Sequence, residues 1–151
     1  MAEINKEPVK IKVFSDTHGE YEHLRNFVHF VNMHKPDIVA MEMLPLGPYN
    51  ADTAESVTQY FGTQYLEAIQ EMAKRGHNVV GLEKKEHRPF INTAAGIWKN
   101  MLIRTKGQIE EDWMEYLKTF HGHTVALFCG SFHAENMKRK LGLAQNDHYK
   151  V

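Results

Sequence analysis

The chain carries one cysteine, Cys129, and so cannot close an internal disulfide. A scaffold stapled by bridges is excluded, and a lone thiol inside an apolar run fits a buried side chain in a reducing, cytoplasmic compartment. Long apolar runs are missing as well. None approaches the roughly 18 residues that a membrane span needs, and the flexible start over residues 1–7 is polar rather than leader-like, so the chain reads as soluble and unprocessed, with no membrane partner. Neither sign of charge dominates: 18 Lys and Arg against 19 Asp and Glu leave a formal charge of -1 at pH 7. The broad basic field that a phosphate backbone requires is therefore absent, and no nucleic-acid partner is expected. Internal repeats and low-complexity segments are absent too.

What is present is enough for one ordinary domain: 151 residues, 42% hydrophobic, with ten histidines. Val9–Phe14 alternates apolar and charged before becoming apolar, which predicts a strand that enters the sheet near an edge or at a solvated end. Leu24, Phe27, Val28, Phe30 and Val31 then recur at helical spacing, predicting a helix from Tyr21 to about His34 that Pro36 ends. Asp37–Met43 is short, β-branched and bounded by prolines, the pattern of a buried strand with Glu42 as its one internal charge. The proline and glycine stretch Leu44–Asn50 reads as a mobile loop, a lid or wall for a substrate. Asp52 or Thr53 can cap a second helix that ends at Gly76, with Gly62 as a point of interruption. Asn78–Leu82 is a third strand, residues 92–120 a long helical region, Thr124–Cys129 a fourth strand, and a short helix runs through Leu141 before a polar tail over residues 143–151. Strands separated by helices predict a single α/β domain: a mostly parallel sheet of about four strands with helices on both faces.

Each predicted strand ends in residues able to act as acids, bases or ligands. These are Ser15-Asp16-Thr17-His18-Gly19-Glu20, then Glu42, then Glu83, then Gly130-Ser131-Phe132-His133. Open parallel sheets gather chemistry outside the carboxyl ends of their strands, so four such endings predict one crevice. The first and last share an arrangement, with a small residue, two more residues, a histidine and then a helix. Two imidazoles and a carboxylate from separate strands either ligate a divalent metal with an open position or work without metal as a general base with an orienting acid. Against this stand plainer readings: Asp16 as a helix cap, Glu42 as an ion-pair partner of Lys84, Lys85 or Arg88, and Glu83 as a solvated surface charge. Arg88, with its forked guanidinium, is the expected anion binder. Ser131 lacks the second glycine of a nucleophile elbow and is assigned hydrogen bonding only, Cys129 is read as a core thiol, and His121 and His123 lie at the wrong end of their strand for catalysis.

Taken together, the segment from Ser15 to Glu20, the segment His34-Lys35-Pro36-Asp37-Ile38-Val39-Ala40-Met41-Glu42-Met43-Leu44-Pro45, and Val125 through Gly130-Ser131-Phe132-His133 resemble the TraB/ChaN/erythromycin-esterase-like (TIKI) hydrolase superfamily. That group carries two G-x-x-H motifs and a glutamate ending the strand of a P-D-x-V-x-x-E segment. Here these correspond to Ser15–His18, Gly130–His133 and Glu42, with Ser15 in place of the first glycine. The resemblance implies hydrolysis of an ester, amide or related bond in a small molecule or peptide. It implies His18, Glu42 and His133 as catalytic residues and Glu20, Glu83, Arg88 and Ser131 around the substrate. If a divalent Mn, Co or Zn ion takes part, Asp16, His18, Glu42 and His133 are its ligands. The chain is short for that group, which implies a more open crevice or one completed by a second copy in a homo-oligomer. Two other readings remain. Phe14-Ser15-Asp16-Thr17-His18-Gly19-Glu20 also looks like the first metal motif of calcineurin-like metallophosphoesterases, although Met41-Glu42-Met43 lacks the Gly-Asp that should end their second strand. A histidine-lined crevice can also bind haem or another small molecule without turning it over.

Overall fold

A computed structural model of the chain describes residues 7–16, 21–50, 63–84, 108–141 and 148–150, and of residues 16, 43, 131, 132 and 148–150 the backbone only. The elements in chain order are β1 (Lys10–Asp16), α1 (Tyr21–His34), β2 (Ile38–Pro45), β3 (Gly47–Pro48), α2 (Thr63–Lys74), β4 (Val79–Glu83), α3 (Gln108–Leu117), β5 (Thr124–Gly130), α4 (Ser131–Lys140) and β6 (His148–Lys150). The fold is α/β, as expected. The four expected strands are all there, and two short ones, β3 and β6, extend the sheet at its edges.

The strands lie in the order β3-β4-β2-β5-β1-β6 and run parallel except for β3, which is antiparallel to β4. From β1 the chain steps through β2 to β4 in one direction, then reverses through β5 to β6. Right-handed crossovers place helices on opposite faces when the direction of travel reverses. That is the arrangement seen. Leu24, Phe27 and Val31 of α1 and Tyr65, Ile69 and Met72 of α2 pack with Phe14, Val39, Met41 and Phe128 on one face. Ile109, Trp113 and Leu117 of α3 and Ala134 and Met137 of α4 pack with Val13, Ala40, Leu82, Leu127 and Cys129 on the other. The period-2 alternation of β2 and β5 feeds both layers, which is why Ile38–Met41 and Val125–Cys129 are apolar without a break.

Local signals explain where the helices stop. Lys35, in the left-handed region with φ 46, returns its N–H to the Val31 carbonyl ahead of Pro36. At the end of α2, the N–H of His77 reaches the Met72 carbonyl and that of Gly76 the Ala73 carbonyl, the Schellman pattern that the glycine predicted. Helix α4 closes on Lys138, Arg139 and Lys140, cations that suit the negative end of its dipole.

The segment expected to form a mobile lid behaves differently. β2 runs on to Pro45, Leu44 is buried, and Gly47–Pro48 turns back to pair with Gly81 and Val80 along the outer edge of β4. Gly47, at φ 114, makes that reversal possible, and the N–H groups of Leu46 and Tyr49 secure it on the carbonyls of Glu83 and Val79. The stretch therefore protects a strand edge, with a proline facing outward. Within the polar segment after Gly142, His148–Lys150 similarly pairs with Val13–Ser15 of β1.

The β2–β4 register slips between Met41, opposite Gly81, and Pro45, opposite Glu83. Four steps on β2 match two on β4, so β2 bulges at Glu42, Met43 and Leu44. Bulges bend a strand and re-aim its side chains. Gly81 makes this one possible, since a Cβ there would fall on the carbonyl oxygens of Leu44 and Pro45.

Candidate functional site

β5 lies between β2 and β1, and its helix α4 leaves toward the face opposite α1 and α2. The carboxyl ends of these three strands thus border a switch in topology, where a parallel sheet opens a crevice. Asp16 and Gly130 are in register there, so the ends of β1 and β5 are level.

Glu42 follows Ile38 and Ala40 in alternation and, at the bulge, reaches the α3/α4 side of the sheet. Its Oε1 accepts the N–H of Gly130 at 2.8 Å, which ties β2 to the last residue of β5. Gly130 is the N-cap of α4, so His133 falls in the first helical turn, three residues beyond that tie. The imidazole Nε2 lies 3.3 Å from Glu42 Oε2, with side-chain exposures of 8% and 12%. On its other side, Nδ1 makes a 2.6 Å contact with Oε1 of Glu110 from α3, a side chain with no exposure at all. Asn136, one turn further along α4, donates Nδ2 to that same oxygen at 3.1 Å. The indole of Trp113 walls the imidazole, ring centroids 5.0 Å apart.

The result is a carboxylate–imidazole–carboxylate row, Glu42–His133–Glu110, almost closed to solvent. Burying such groups costs several kcal/mol per ion unless hydrogen bonds offset it. For Glu110 the two effects are visible in its acidity. Burial pushes the carboxyl up, and the hydrogen bonds from His133 and Asn136 outweigh it, holding the group below its ordinary value. Cys129 moves the other way: burial first, then the negative charge of Glu42 and Glu110, pushes its thiol well above the usual range. It remains a protonated core residue, consistent with its place in the α3/α4 layer.

Of the residues singled out from the sequence, Glu42 and His133 are brought together. Glu83 ends β4 and is 5% exposed, so the solvated reading of it does not hold: β4 is buried along its whole length. Asp16 and Ser131 occupy the ends of β1 and the start of α4, described by backbone alone. His18, Glu20 and Arg88 lie outside the described residues. Lys84, one of the cations weighed as a partner for Glu42, reaches Asp112 of α3 at 3.6 Å. His123 sits at the amino end of β5, 3.4 Å from Asp37, away from the crevice as expected. Among the described residues no three His, Cys, Asp or Glu side chains converge as a metal-ligand group.

Glu110 was not anticipated. Its signal is present but faint: it shares the i, i+3, i+7 stripe of Trp113 and Leu117, so a carboxylate occupies the apolar face of a helix, where it needs a partner. No protein-family model, curated protein or solved structure matches this chain.

Proposed function

We propose that the chain is a hydrolase that cleaves an ester, amide or related bond in a small molecule or peptide, with His133 and Glu42 as its reacting pair. The observation that carries the reading is the meeting of Glu42 and His133 at 3.3 Å, mostly shielded from water, at the carboxyl edge of the switch strands. Buried ionisable groups that face each other in such a crevice are expensive to keep, and catalysis is the common reason for them. In this reading His133 Nε2 takes a proton from water and Glu42 orients that water, held in place by Gly130. His18 is the second base and Arg88 the anion clamp, with Glu20, Glu83 and Ser131 completing the substrate wall. The resemblance to TraB/ChaN-like hydrolases supports the same assignment.

A divalent ion such as Mn, Co or Zn is compatible with the same pair, because two donors held about 2.0–2.2 Å from one tetrahedral ion stand at nearly this spacing. Glu42 and His133 would hold it together with Asp16 and His18. When bound, it supplies a water that ionises near neutral pH. A cytoplasmic location and assembly with a second copy belong to this proposal too.

Purified protein assayed on esters, amides and phosphoesters, with chelator and with metal added back, tests it. Turnover of an ester or amide is expected, falling about 10²–10⁴-fold in Glu42→Gln and in His133→Gln. Unchanged turnover in both variants would overturn the assignment. Activity confined to phosphodiesters would replace it with a metallophosphoesterase.

A further inference from the structure

We infer that Glu110, braced by Asn136, is a positioning residue that keeps the His133 proton on Nδ1 and leaves Nε2, on the Glu42 side, as the unprotonated nitrogen. The inference rests on the hydrolase reading for its purpose but not for its geometry.

Among the described residues, the contacts of the imidazole with Glu110 and Glu42 are unequal. At 2.6 Å, Nδ1 to Glu110 is a short charge-assisted hydrogen bond. At 3.3 Å, Nε2 to Glu42 is an ion-pair distance, longer than such bonds run. A single imidazole proton therefore belongs on Nδ1. The acceptor is also unambiguous: Asn136 Nδ2 donates to the same Oε1, so that oxygen collects two N–H groups one helical turn apart on α4. Glu110 Oε2 has no hydrogen-bond partner among the described residues, so the carboxylate is committed through one oxygen.

A purely structural role explains this poorly. Replacing a buried ion pair by well-packed apolar side chains is often neutral or stabilising, so stability alone gives little reason to keep a carboxylate with no exposure here. Fixing an imidazole tautomer gives one. Whether Nε2 acts as a base or as a metal ligand, it must be the unprotonated nitrogen, and a carboxylate on the opposite nitrogen is how histidines are commonly held in that state. The indole of Trp113 limits ring rotation from the side, which leaves Glu110 to set the direction.

Nitrogen NMR of histidine-labelled protein at mildly alkaline pH, with His133 assigned by difference against His133→Gln, reads the tautomer directly. The wild type should show a single N–H at Nδ1 with a strongly downfield proton. Glu110→Leu should move that proton to Nε2, where Glu42 accepts it, and lower kcat about 10–100-fold with KM little changed. Glu110→Gln keeps an acceptor at the same place and should restore the Nδ1–H form and most of kcat. A wild-type ring protonated on Nε2 or on both nitrogens, or a Glu110→Leu ring still protonated on Nδ1, overturns the inference. If the tautomer shifts as stated and no substrate is turned over, the hydrolase reading falls and the positioning role stands.

Discussion

β2 and β5 are joined at both ends by the same kind of contact, and the two ends have opposite characters. At the amino end, Asp37 Oδ2 accepts the Thr124 N–H at 2.9 Å and lies 3.4 Å from His123. At the carboxyl end, Glu42 Oε1 accepts the Gly130 N–H at 2.8 Å while Oε2 lies 3.3 Å from His133. In both, a carboxylate in or immediately before β2 holds a β5 amide and faces a histidine at nearly the same distance. Exposure separates them: 50% and 57% at the amino end, 12% and 8% at the carboxyl end. A solvated pair is worth at most about 1 kcal/mol, because water and salt screen it. A buried one carries a desolvation penalty and strongly coupled protons. The amino-end clasp therefore has the character of a solvated fastening, and the carboxyl-end one that of a buried candidate site.

The sharpest way to break the symmetry is to remove the imidazole at each end. His133→Ala leaves the Glu110 carboxylate buried and, among the described side chains, opposed only by Asn136, so denaturant unfolding should show a loss of about 3–5 kcal/mol. His123→Ala should stay within about 0.5 kcal/mol, as surface changes do. Equal losses at the two ends would show that burial is not what distinguishes them.

A smaller effect is expected from the bulge that aims only the carboxyl-end carboxylate. Gly81→Ala drives a methyl into the carbonyls of Leu44 and Pro45, which should cost about 1–3 kcal/mol as overpacking does and reduce turnover by displacing Glu42. A variant with wild-type stability and activity would mean that the slip in register is not needed to place Glu42.

The smallest effect concerns acid. The Thr124 N–H, opposed by partial burial and helped by His123, holds Asp37 below its ordinary value of 3.8. A carboxyl depressed in the fold contributes stability that is present above its unfolded value and lost as pH falls through its folded one. Asp37→Asn should therefore leave stability at neutral pH only slightly lower and flatten its decline below that value, as followed by thermal unfolding across an acid series. A steeper decline in the variant would reverse the sign assigned here.

Much of the frame was legible because it rests on local rules. Apolar spacing located α1 between Tyr21 and His34, Gly76 marked the end of α2, and short apolar runs marked β2, β4 and β5. The convergence of Glu42 and His133 was legible too, since both stand at the carboxyl ends of strands that share one edge of a parallel sheet. Glu110 was not, because its link to His133 spans 23 residues and depends on how α3 lies against α4. Nor was the fate of Leu44–Asn50, whose prolines and glycines suit a free loop and an edge strand equally well.

Periodicity within the chain determined the four inner strands and much of the helices, which of their faces are apolar, and that acids and histidines stand at the carboxyl ends of those strands. Those are properties of neighbours in sequence, governed by backbone sterics and by the geometry of helix and strand. Only the tertiary structure decided the order β3-β4-β2-β5-β1-β6, the slip that turns Glu42, and the carboxylate that closes on His133 from behind. Each of these depends on packing between segments far apart in the chain, where burial and close approach rather than local preference select the arrangement.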